Sequence, residues 1–220
     1  ELLGFEGVGE SRHIEFGFMT LPEGALSTRK GTAISLDTVL DEAKSRALAV
    51  IREKNPDLVK ADETAEAVGI GALKYFDLSH HRRSDVIFRW DNALSFDGNT
   101  GPYLQYTHAR LKSILRKYGG EIKKREIGKS GLDAVEHRLL ALMLRLPEAV
   151  EDALKDYAPN TLANYLYDVA KLSNEFYHSH PVTQEPAAAK RDLRLALVAG
   201  VASTLASGLN LLGIEAPEEM

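Results

Sequence analysis

Apolar residues recur at intervals of three and four along most of this chain, and the stretches where that interval fails mark its joints. Near the start the period is two. Ile14, Phe16 and Phe18 alternate with Glu15 and Gly17, the pattern of a half-buried strand. A turn at Pro22 to Gly24 follows, then the polar run Ser27-Thr28-Arg29-Lys30-Gly31 and a strand-like apolar piece from Ala33 to Leu36. Asp37 is placed as the N-cap of a helix running to about Lys54. Val39, Leu40, Ala43, Ala47, Val50 and Ile51 form its apolar face, and Asn55-Pro56 stops it. A second helix is predicted over about Ala61 to Ser79. Gly69 and Gly71 inside it cost on the order of 1 kcal/mol each against alanine, so a neighbouring backbone is expected to approach closely there.

Between Ser79 and Gly101 the helical period lapses through His80-His81-Arg82-Arg83, Val86-Ile87-Phe88 and the turn-rich Asp97-Gly98-Asn99-Thr100-Gly101, which is the predicted domain junction. Pro102 suits a first helical position, and five helices are predicted beyond it. The first carries Leu104, His108, Leu111, Leu115 and Tyr118 on one stripe and ends at Gly119-Gly120. The second opens on a Ser130-x-x-Asp133 box and is expected to bury Leu132, Val135, Leu139, Leu142 and Leu146. Pro147 starts a short third. The fourth runs from about Pro159 to His178, with Leu162, Tyr165, Leu166, Val169, Leu172 and Phe176 inward, and the fifth from about Pro186 to Leu212, ending at Gly213. The expected fold is mainly α: a helical bundle over residues 99–220, preceded by a small α/β unit over 1–98.

Composition removes several classes of function. The chain has 220 residues, 44% of them apolar and 27% charged, the profile of a soluble globular protein, and no apolar run approaches the ~20 residues of a membrane span. A membrane partner is therefore not expected. The sequence begins at Glu1 without the basic-then-apolar order of a secretion signal, so its N-terminus reads as a cut. The absence of cysteine excludes disulfides, thiolate metal sites and Cys nucleophiles, and is compatible with a reducing cytoplasm. A net charge of -5 argues against a polyanion partner. Its distribution does not. From Arg110 to Arg125 the chain sets Arg110, Lys112, Arg116, Lys117, Lys123, Lys124 and Arg125 against Glu121 alone. Acid gathers at Glu148, Glu151, Asp152 and Asp156 and again at Glu215, Glu218 and Glu219, which is expected to push a polyanion toward the basic segment. A solvated helix face is the plain alternative.

Two clusters offer chemistry. In Ser27 to Gly31, hydroxyls and a glycine-freed backbone present donors to phosphate oxygens, Arg29 a planar fork and Lys30 a point charge; a polar surface loop is the alternative. In Ser95 to Tyr106 a turn feeds a helix whose first turn carries Tyr103, Gln105 and Tyr106. Aromatic faces and an amide suit unpaired bases, with the basic run following to meet phosphates; tyrosines capping the bundle core are the alternative. Adjacent His80 and His81 read as solvated, with no carboxylate at metal-ligand spacing, and His108 reads as a hydrogen-bonded core histidine. No zinc, Ser-His-Asp or glycine-rich dinucleotide signature occurs, and no structural metal is expected.

These same stretches carry a resemblance. Leu26-Ser27-Thr28-Arg29-Lys30-Gly31 with Leu36-Asp37-x-x-Leu40-Asp41-Glu42-Ala43, Val68 to Leu78, and Leu94 to Tyr106 closely resemble the arginyl-tRNA synthetases in order along the chain. Leu162-Ala163-Asn164-Tyr165-Leu166-Tyr167, Leu211-Leu212-Gly213-Ile214 and Pro217-Glu218-Glu219-Met220 resemble the end of that family's DALR-type anticodon-binding domain. The resemblance implies the C-terminal part of a class I synthetase. Such an enzyme forms arginyl-adenylate from arginine and ATP, with Mg2+ accompanying the ATP, and passes the arginyl group to tRNA-Arg. It further implies a cytoplasmic monomer.

By analogy Ser27, Thr28, Arg29, Lys30 and Gly31 would close on the ATP phosphates, with Arg29 and Lys30 as the acting cations. Tyr103, Tyr106, Arg110, Asn174, Tyr177 and Met220 would bind the anticodon stem and loop. The loop departs from the general Lys-Met-Ser-Lys-Ser pattern, with Ala25 at the first lysine and Thr28 near the second, and His-Ile-Gly-His is absent. The polypeptide alone is therefore expected not to aminoacylate. A free-standing RNA-binding module built on the same helical domain is the alternative. A cysteinyl-type synthetase is disfavoured by the arginine-type loop and the lack of zinc-binding cysteines.

Overall fold

The computed structural model describes residues 9, 11–22, 35–122 and 131–220. The loop Ser27 to Gly31, the apolar piece from Ala33, and Ser130, Lys123, Lys124 and Arg125 lie outside the described residues. Helix α1 (Leu36–Lys54) is capped two residues earlier than expected: Ser35, in extended geometry, is the N-cap, its Oγ accepting the Thr38 N–H. Asp37 sits in the first turn, where its charge meets the helix dipole. Helix α2 (Ala61–Leu78) packs against α1 around Ala47, Ile51, Ala65 and Val68.

Both glycines of α2 mark close approaches, by the expected backbone at Gly69 but by a side chain at Gly71. A Cβ on Gly69 would fall 2.7 Å from the Ala43 carbonyl of α1, and one on Gly71 2.7 Å from the Gln105 amide. Gly69→Ala is therefore expected to lower stability by about 1–3 kcal/mol, although alanine gains ~1 kcal/mol of helix propensity. Urea denaturation reads the sign, and a stabilised variant would mean that α1 yields at no cost.

The N-terminal alternation does not become a buried strand. Strand β1 is only Met19–Thr20, pairing in parallel with β2 (Val86–Ile87), and Phe16 and Phe18 are 84% and 78% exposed. A period of two buries one face only when something packs on it, and among the described residues nothing covers these rings. Helix α3 (Trp90–Ala93) follows, its Trp90 edge-on to Phe88.

Five helices form the bundle as expected: α4 (Gly101–Tyr118), α5 (Ala134–Leu144), α6 (Leu146–Lys155), α7 (Pro159–Ser179) and α8 (Ala188–Leu211). Thr100, with its Oγ accepting the Tyr103 N–H, caps α4, and Gly119 closes it at φ 61°. Asp133 itself is the N-cap of α5, in a reciprocal box with Glu136, three residues later than the expected pairing. Of the apolar residues assigned to α5, only Leu139 is fully buried; Leu132, Val135, Leu142 and Leu146 are half-buried.

Helix α8 runs through the middle of the core, with Leu195, Val201, Leu205 and Leu209 fully covered. Its length and composition pass for a membrane span, contrary to the reading of short apolar runs, but two thirds of that window (67%) is buried inside the bundle. The junction motif is tied down by one phenol. The single Tyr75 proton is shared between the Ala163 carbonyl at 2.8 Å and Asn99 Oδ1 at 2.6 Å, and Asn99 Nδ2 donates to Asn164 at 2.8 Å. Burial pushes the Tyr75 phenol far above its ordinary range, so it stays a donor at any working pH.

Candidate nucleic-acid interface

Helices α4 and α7 present a seam of aromatic and polar side chains, because residues three, four and seven apart share a helix face. On α4 these are Tyr103, Tyr106 and Arg110, and on α7 Tyr167, Asn174 and Tyr177. Asn174 Nδ2 donates to the Tyr103 hydroxyl at 2.8 Å, and the Tyr103 ring lies 5.7 Å from Tyr167. Further along, the Arg110 guanidinium lies 4.4 Å over the Tyr177 ring. Tyr106 meets Phe96 edge-on at 6.3 Å and remains 45% exposed, too open for a core cap.

Beside the seam opens a cleft of about 750 Å3 whose walls include Tyr106, Arg110, Lys117, Tyr177, His178 and Met220. Four of the six residues assigned to RNA thus line one cavity, and Tyr103 and Asn174 are bonded to each other along the same helix pair. Met220 forms the opposite wall. Its carbonyl accepts from Asn55 Nδ2 at 3.1 Å, and its side chain packs on the α1–α2 core.

Two expectations need correction. Gln105 is not displayed: it is fully buried, with Nε2 donating to the Ala67 carbonyl at 3.1 Å and the Glu215 carbonyl at 2.7 Å, because its face of α4 turns toward α2 and the tail. The tail acids do not stand apart from the basic run. Lys112 Nζ lies 2.6 Å from Glu218 Oε1, and Arg116 Nη2 3.2 Å from Glu219 Oε1. Arg82, beside the two histidines, donates to the Asp156 and Tyr157 carbonyls at 3.0 and 3.3 Å and so meets the C-terminal end of α6.

His108 is the hydrogen-bonded core residue expected. Its Nδ1 faces the Pro217 carbonyl at 2.9 Å, so Nδ1 carries the proton, and burial lowers its pKa and keeps the ring neutral. Asp133, Glu136 and His180 bring three ligand atoms within 4.8 Å of one another. The Glu136 carboxylate there is already held by Lys190 Nζ and by Arg194 Nε at 2.8 Å, so its charge is balanced without a metal. Tyr167 and Asn55 were missed as site residues, whereas Lys117 had been read only as one cation of the basic run. Tyr167 was legible seven residues before Asn174 on one helix face, whereas the side-chain role of Asn55 depends on a partner 165 residues away.

Comparison with known proteins places the chain in a family. The family described as DALR anticodon binding domain matches residues 104–220, and that described as tRNA synthetases class I (R), catalytic domain, matches 2–90. The chain belongs to the arginyl-tRNA synthetase family. An arginine–tRNA ligase of Alkaliphilus metalliredigens is 38% identical over 220 residues, covering 100% of this chain and 39% of that protein. One of Fusobacterium nucleatum is 42% identical over 211 residues, covering 93% of this chain and 37% of that protein. The solved Thermus thermophilus arginyl-tRNA synthetase superposes with a TM-score of 0.89 at 38% identity, covering 100% of this chain and 37% of that one. The chain thus spans under two fifths of the length of these synthetase relatives, and over that span it has the mostly helical architecture of the family.

Proposed function

We propose that this chain works within an arginine–tRNA ligase, in which ATP and arginine form arginyl-adenylate and the arginyl group passes to the terminal ribose of tRNA-Arg. Residues 1–98 would contribute the ATP-phosphate loop, and 99–220 would bind the anticodon stem and loop. Family membership and the cleft between α4, α7 and Met220 support the reading. The cleft carries it, because Tyr106 and Tyr177 offer faces for unpaired bases while Arg110 and Lys117 offer charge to phosphate. In the loop, Ser27 and Thr28 would donate to phosphate oxygens, Gly31 would free the backbone, and Arg29 and Lys30 would offset the charge that builds on departing pyrophosphate. Magnesium accompanying the ATP, a monomeric state and a cytoplasmic location go with this proposal.

The test is binding of the chain to purified tRNA-Arg beside a non-cognate tRNA across a salt series, with charging of tRNA-Arg assayed in parallel. Preferential, salt-sensitive binding without aminoacylation is expected. Equal, weak binding to both tRNAs would remove the recognition role from this cleft, and charging by the chain alone would overturn the expectation that it does not aminoacylate without His-Ile-Gly-His.

A further inference from the structure

The last residues of the chain lie along one stripe of α4, which meets them at successive positions. Gln105 donates to the Glu215 carbonyl at 2.7 Å and His108 to the Pro217 carbonyl at 2.9 Å. Lys112 pairs with the Glu218 carboxylate at 2.6 Å, and Arg116 donates to the Glu218 carbonyl at 3.0 Å while reaching Glu219 at 3.2 Å. The spacing of 105, 108, 112 and 116 is that of a single helix face. The segment runs to Met220, whose carbonyl is held by Asn55, whose side chain packs on the α1–α2 core and which lines the cleft.

The basic run is therefore of two kinds. Arg110, Arg116 and Lys117 all line the cleft, but only Arg110 and Lys117 form no ion pair among the described residues. Lys112 and Arg116 are engaged by carboxylates, and the Lys112 ammonium beside it holds the Glu218 carboxyl below its usual range. An RNA phosphate reaching Arg116 would have to displace Glu219 and compete with a backbone hydrogen bond. We propose that residues 214–220 are a strap seated by α4, and that Lys112 and Arg116 are positioning residues. They grip Glu218 and Glu219, and so set the Met220 wall, rather than taking RNA phosphates themselves. The inference rests on reading the cleft as an RNA site.

Lys112→Met, Glu218→Gln and the double variant of the full chain separate the two roles. Two quantities are read: amide hydrogen exchange of residues 214–220 in the free protein, and affinity for tRNA-Arg and a non-cognate tRNA at several salt concentrations. Each single substitution is expected to speed exchange in the strap and to lower the cognate preference about two- to fivefold. The double variant should be no worse than either single, because both changes cut one link. The salt dependence of cognate binding should keep its slope in Lys112→Met. A slope flattened by about one unit, with Glu218→Gln tightening binding independently, would make Lys112 a phosphate ligand and overturn the proposal. Unchanged exchange in Lys112→Met overturns it as well. Discrimination retained in every variant sinks the strap alone, whereas equal binding of both tRNAs by the unsubstituted chain sinks the RNA reading and the strap with it.

Discussion

Glu136→Ala will destabilise the chain by about 3–5 kcal/mol, the scale for stripping one partner from a buried ion network and a large share of the ~5–15 kcal/mol that holds a typical domain. Glu136 is fully buried near the start of α5, where one carboxylate serves three donors: Lys190 Nζ, Arg194 Nε and the Asp133 N–H of the capping box. Removing it leaves the Nε of a guanidinium that is itself only 9% exposed without its acceptor, and Lys190 without its carboxylate. The loss reaches the cleft. Arg194 also holds the Pro181 carbonyl at 2.8 Å and Glu185 at 2.8 Å, and residues 180–184 form part of the cleft rim.

Burial alone would push the Glu136 carboxyl up, but Lys190, Arg194 and the Asp133 N–H outweigh it and hold it below the usual range. A carboxyl with a depressed folded-state pKa stabilises above its unfolded value of 4.5, and that contribution is lost as pH falls through the folded value. The gap between wild type and Glu136→Ala should therefore be widest at neutral pH and close on acidification below the ordinary carboxylate range. Urea unfolding followed by circular dichroism at several pH values measures it. A neutral-pH gap under about 1 kcal/mol would mean that desolvation cancels the network.

The second large effect concerns binding. Arg110→Ala is expected to weaken tRNA-Arg binding by about 10- to 100-fold and to flatten the salt dependence by about one unit, because it removes both a charge and a planar group stacked on Tyr177. Arg110→Lys should restore the salt slope but only part of the affinity, since an ammonium keeps the charge without the planar fork. Tyr106→Ala should cost about tenfold with the slope unchanged, because an exposed ring supplies a stacking face and no charge. Filter binding at four salt concentrations distinguishes these patterns. An Arg110→Ala variant that binds as well as wild type would move recognition off this seam.

The helix count, the helix positions and the glycine approaches were legible in the sequence because each rests on local terms: a period near 3.6, a proline or glycine at an end, a cost that only packing offsets. The α4 stripe and the placement of His108 followed from the same periodicity. Failures came where a residue's environment is supplied by distant chain. Phe16 and Phe18 alternate correctly but have no described partner, Gln105 turned inward to carbonyls of α2 and the tail, and α8 is apolar enough to span a membrane yet fills the bundle.

By itself, then, the sequence determined which segments are helices and which residue types are available to the proposed RNA site. Only the tertiary structure decided which cations are free to act there. Lys112 and Arg116 are indistinguishable in sequence from Arg110 and Lys117, yet a tail about a hundred residues away pairs with the first two and, among the described residues, leaves the second two without an ion pair. A charge is a property of a residue, whereas its availability depends on which opposite charges the fold brings within a few ångströms.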